Sequence, residues 1–118
     1  MSAAGSRILK IPAGQEFSDV MLTPWESGMG IAYIVTTDAI SLGLKIELHM
    51  QSKKDSTKWL PFYDPEKGEN STLTLVQNKV IPCSPYVDGR GSRAMKFKVS
   101  SVQADDVFLE VGLAKLFG

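Results

Sequence analysis

The chain has one cysteine, Cys83, and one histidine, His49, in 118 residues. A disulfide framework is therefore excluded, and a zinc site of the usual Cys/His type has too few ligands. Cys83 stands between Pro82 and Ser84 and reads as a reduced, half-buried thiol without chemistry. Charge of one sign is also missing: 13 basic residues balance 13 acidic ones. That balance excludes a generally basic nucleic-acid binder and an acidic solvating tail. The longest apolar runs, 30–35 and 39–44, are far shorter than the roughly 20 residues a bilayer span requires. Met1 to Arg7 carries no basic stretch followed by an apolar one, and Gly5 is not at the acylation position. Neither a secretory signal nor a lipid anchor is expected, so the chain is expected to be made in a cytosol and to stay soluble. On that footing the sequon Asn70-Ser71-Thr72 is a chance match. No eleven-residue window holds a helical period behind a capping residue.

What is present has a period of two. Leu44, Ile46, Leu48 and Met50 alternate with Lys45, Glu47, His49 and Gln51. Met95, Phe97 and Val99 alternate with Lys96, Lys98 and Ser100. Val107, Leu109, Val111 and Leu113 alternate with Phe108, Glu110 and Gly112. Each run is a strand with one dry and one wet face. Ile31 to Thr36 is apolar throughout and reads as a central strand covered on both faces. Shorter β-rich runs are Arg7–Ile11, Asp19–Leu22, Trp59–Tyr63, Thr72–Val76 and Lys79–Ile81. Between them lie Pro12-Ala-Gly14, Ser27-Gly-Met-Gly30, Asp64-Pro-Glu-Lys-Gly68 and Asp88-Gly-Arg-Gly-Ser92, all turn-forming. Ser101 to Asp106 reads as a loop or a single helical turn. About eight short strands without helices between them predict an all-β antiparallel sandwich or jelly roll. Residues 1–6 are expected to form a flexible arm, and 7–118 a single domain.

The chemistry-bearing residues point away from catalysis. His49 falls on a strand's wet face and is expected to be solvated, with no nucleophile-elbow motif elsewhere. Asp88 to Arg93 supplies glycines but no phosphate-loop lysine, so it reads as a hairpin loop. Its Arg90 and Arg93 are suited to holding a partner's carboxylate through paired hydrogen bonds. Asp55, Asp64, Glu66 and Glu69 are interleaved with lysines and read as a solvated loop instead of a calcium site. Glu47 and Glu110 sit on separate wet faces, which argues against a glycosidase pair. Trp25, Tyr63 and Tyr86 would be the stacking platforms of a sugar-binding module. Phe108 is out of phase with its strand's apolar face, and Leu116 and Phe117 have no place in the pattern. Such leftover apolar groups mark a subunit contact. The alternative for Phe108 is that it covers a second face of its own strand. No cofactor and no metal are expected.

One stretch carries a resemblance. Leu44 to Ser52 is followed by Asp55-Ser-Thr-Lys-Trp59-Leu-Pro61, then by Val87 to Val99, then by Val107 to Lys115. This order resembles small β-sandwich structural proteins of tailed bacteriophages, in which a Ser-x-Asp-Gly-x-x-Trp-x-Pro turn recurs. The chain departs from it in placing Lys53-Lys54 before the Asp and Ser56 in place of the Gly. The resemblance implies a capsid decoration (cement) protein, located in the virion. Such a protein is a symmetric oligomer, with a trimer favoured, that binds the major capsid protein or other virion subunits without catalysis. Neither nucleic acid nor membrane is an expected partner. The arm Met1 to Arg7 and the strand Arg7 to Ile11, with Arg7 and Ile8 as contact residues, are then expected to order on the lattice, for instance by adding a strand to an exposed edge. The alternative is a carbohydrate-binding or fibre-tip domain of the same fold.

Overall fold

The structure is a computed structural model that describes residues 4–22, 29–82, 87, 88 and 94–117, with side chains over 7–22, 32–82 and 94–112. Among the described residues there is no helix. The strands are β1 (Ala4–Ile11), β2 (Met21–Leu22), β3 (Met29–Val35), β4 (Lys45–Gln51), β5 (Trp59–Pro61) and β6 (Tyr63–Asp64). They continue with β7 (Glu69–Asn70), β8 (Leu73–Thr74), β9 (Val80–Pro82), β10 (Val87–Asp88), β11 (Ala94–Val99) and β12 (Val107–Phe117).

Two antiparallel sheets form. The first has the order β1-β12-β3, and β9 and β10 both pair with β3. Because β12 occupies one flank of β3, β9 and β10 share the other as two parts of one edge. The second has the order β2-β11-β4, with β5 and β8 sharing the far flank of β4 in the same way. The hairpin β6-β7 lies between β5 and β8 in the chain and forms a separate two-stranded sheet. Among the described residues the two large sheets have eight strand positions, and the chain passes between them in the order of a jelly roll. The all-β sandwich expected from the period of two is therefore observed.

The alternation decides what fills the space between the sheets. Leu9, Ile11, Ala32, Ile34, Val107, Leu109 and Val111 come from the first sheet, and Met21, Ile46, Leu48, Met50, Met95, Phe97 and Val99 from the second. All are buried, Phe97 completely. At roughly 25 cal/mol per Å² of apolar surface, this layer is the main term holding the sheets together.

Two expectations need correcting. β1 begins at Ala4, pairing Ala4, Gly5 and Ser6 with Ala114, Leu113 and Gly112. Half of the expected arm is therefore strand, because β12 is long enough to offer it partners; residues 1–3 lie outside the described ones. β3 is central in its sheet, but Tyr33 on its outer side is 38% exposed. Its apolar run reflects an apolar outer surface and not a second covering layer.

Candidate functional site

The outer face of the first sheet carries several exposed apolar side chains, with Glu110 set among them. The register sets Ile8 opposite Glu110, Glu110 opposite Val35, and Val35 opposite Val80. The next outward row is Gly112, Tyr33 and Pro82. Phe108, opposite Lys10, is a diagonal neighbour of Ile8. Ile8 is 64% exposed, Val80 67% and Phe108 45%. Tyr33 lies over Gly112, where a Cβ would overlap its ring, so the ring fills the space left by the missing side chain. The start of β12 is fixed by Asp38, whose Oδ2 accepts the Phe108 backbone N–H at 2.6 Å, just past the end of β3. Glu110 and Lys10 are the charges set within and beside this patch.

Of the residues expected to bind partners, Ile8 and Phe108 are brought together here. Arg7 is exposed, and its Nη1 donates to the Val20 carbonyl at 3.1 Å, which ties β1 to the chain entering β2. Leu116 and Phe117 belong to β12 by backbone, and their side chains lie outside the described ones. Arg90 and Arg93 lie outside the described residues, as do Cys83, Trp25 and Tyr86.

The outer face of the second sheet is built differently. His49 was expected to be solvated and is instead buried, 6% exposed. The cause is the segment before β2. It runs along β11 by a bridge from Phe17 to Lys98 and sets the Phe17 ring edge-on to His49, centroids 5.4 Å apart. Lys96, between them on β11, holds its ammonium 4.2 Å from the Phe17 ring centre and 4.3 Å from that of Trp59 on β5. A cation between two aromatic faces is attracted by both quadrupoles. Lys96 is the cross-strand partner of His49, and its stem and the Phe17 ring lie beside the imidazole. Nothing local in the sequence signals this, because Phe17 is distant from His49 in the chain and belongs to no alternating run.

His49 Nε2 lies 3.0 Å from Glu47 Oε1, two residues along the same strand and face. Its buried Nδ1 has no hydrogen-bond partner. One ring nitrogen is thus taken by a carboxylate, and the other bonds nothing among the described residues. Glu47 Oε2 also accepts from Asn70 Nδ2 at 3.4 Å, from the β6-β7 hairpin. Beside this pair opens a cleft of about 180 Å³ lined by Glu16, Lys45, Glu47, Thr72, Lys98, Val99 and Ser100.

The remaining candidates resolve locally. Asp55 Oδ1 accepts from the Thr57 N–H at 3.0 Å and from its hydroxyl at 2.6 Å, forming the turn before β5. Those two bonds, the hydroxyl first, hold the Asp55 carboxyl below its ordinary value. Asp64 Oδ1 accepts from Glu66 N–H, which shapes the β6-β7 turn. Glu47 and Glu110 lie on different sheets, and each points outward. Tyr63 is 58% exposed. No protein-family model matches the chain, and no curated protein matches it.

Proposed function

We propose that this chain is a capsid decoration protein of tailed-bacteriophage type. It works by binding, as a symmetric oligomer that assembles through the outer face of its first sheet and so clamps neighbouring virion subunits. The observation that carries this reading is the exposure of Ile8, Phe108, Tyr33 and Val80 on one sheet face. Large apolar side chains grouped on a surface lose water when a partner covers them, and such patches mark contact sites. Support also comes from the Ser52 to Pro61 turn and the strands after it, the residues that resemble decoration proteins. The edge position of β1 adds to this. The Lys10 N–H and C=O both face Asp19, away from β12. By alternation the backbone groups of Ile8 and Ser6 face the same way, as a strand-adding partner would use them.

The test is co-sedimentation of the purified chain with shells of the major capsid protein from the same genome. Saturable binding is expected. The double variant Ile8→Glu, Phe108→Glu is expected to weaken it at least tenfold while leaving the fold intact. Binding that the double variant retains in full, or no binding by the wild type, contradicts the proposal.

A further inference from the structure

We propose that the cleft on the outer face of the second sheet binds a small neutral polyhydroxylated ligand, a single sugar unit, with Glu47 as the orienting acceptor. The inference does not rest on the decoration reading, which concerns the opposite face of the sandwich.

Four charged side chains line the cleft, two of each sign: Glu16, Glu47, Lys45 and Lys98. Glu16, Lys45 and Lys98 form no ion pair with one another or with Glu47, although all reach one small space. A ligand with net charge meets as many like charges as opposite ones and gains little. A hydroxyl gains on both sides, because it donates to a carboxylate while accepting from an ammonium. Thr72 and Ser100 add two hydroxyls. The volume of about 180 Å³ equals about six waters at ~30 Å³ each, the scale of one sugar ring.

Glu47 is held in place from two sides. The buried imidazole of His49 grips Oε1 and the Asn70 carboxamide reaches Oε2. Its side chain is 23% exposed, so the carboxylate still opens to the cleft. With Glu47 as acceptor, Nε2 of His49 carries the proton, and the burial of His49 under Phe17 fixes the orientation. A preorganised acceptor loses little freedom on binding. This gives the buried histidine a role that packing alone does not explain: it positions the residue that touches the ligand.

The experiment is a two-dimensional amide NMR titration of the labelled full chain with glucose, galactose, mannose and N-acetylglucosamine, each to tens of millimolar. Lysine and glucuronate serve as charged controls. Saturable shifts are expected for at least one neutral sugar, centred on the amides of Glu16, Lys45, Glu47, Thr72, Val99 and Ser100. Glu47→Gln preserves the shape and is expected to weaken binding about tenfold; Lys98→Met is expected to do the same with the spectrum otherwise unchanged. Three outcomes overturn the proposal: no saturable shift with any neutral sugar, shifts that both variants leave unaltered, or saturation by the charged controls alone.

Discussion

Ser18 and Phe97 exchange two hydrogen bonds: the Ser18 N–H donates to the Phe97 carbonyl at 2.9 Å, and the Phe97 N–H donates to Ser18 Oγ at 3.0 Å. This exchange fastens the segment before β2 to the edge of β11. Phe17, the preceding residue, is thereby held against His49 and Lys96.

Replacing Ser18 with Ala leaves the buried Phe97 N–H without its acceptor. The expected cost is about 1–3 kcal/mol, the penalty of an unsatisfied buried donor. Denaturant unfolding measures it, and the amide signals of Phe17 and His49 are expected to shift as the segment loosens. A change below about 0.5 kcal/mol, the range of ordinary surface substitutions, would show that the exchange does not anchor the segment.

Gly112 and Tyr33 are coupled sterically. Gly112→Ala places a methyl group where the Tyr33 ring lies and is expected to destabilise by roughly 1–3 kcal/mol. In a Tyr33→Ala background the same change is expected to cost little. A double-mutant cycle reads the coupling directly, and simple additivity would contradict this geometry.

Asp38 closes the hydrogen-bond ladder where β3 has ended, by accepting the Phe108 N–H. Asp38→Ala is expected to lose about 1 kcal/mol, a charge-assisted bond discounted for its partial exposure. Amide hydrogen exchange is expected to accelerate at Phe108 first. Unchanged protection there would mean that another group holds the start of β12.

The Asp55 carboxyl is held below its ordinary value of 3.8 mainly by the Thr57 hydroxyl. A lowered folded value means stability that is present above the ordinary value and lost as pH falls through the lowered one. Thr57→Val removes the first cause. The variant is expected to be less stable than wild type near neutral pH, and the difference is expected to shrink in acid. NMR titration of the Asp55 side chain is expected to move to higher pH in the variant. An unmoved titration would assign the shift to the backbone bond alone.

The strands were legible because their signal is local. The alternations at Leu44–Gln51, Met95–Val99 and Val107–Gly112 carry their buried faces in their own spacing. The out-of-phase position of Phe108 likewise marks an outward apolar residue by spacing alone, and its side chain is 45% exposed. Ile31 to Val35 was legible as a strand but not as one with an open outer face, since a run that is apolar throughout does not say which side is covered. His49 was misread because its cover comes from elsewhere: Phe17 is brought over it by the Ser18–Phe97 exchange, a contact between distant parts of the chain. The cleft was not legible for the same reason. Glu16, Glu47, Thr72 and Lys98 come from four separate parts of the chain and meet only in the folded sandwich.

The contact role of the first sheet's outer face is tested most directly by the absolute mass of the purified chain in solution, from light scattering behind a sizing column. Wild type is expected at about three times the chain mass of 12.9 kDa, and the Ile8→Glu, Phe108→Glu variant at one. A wild type that stays monomeric at every concentration, or a variant that keeps the oligomer intact, would contradict it.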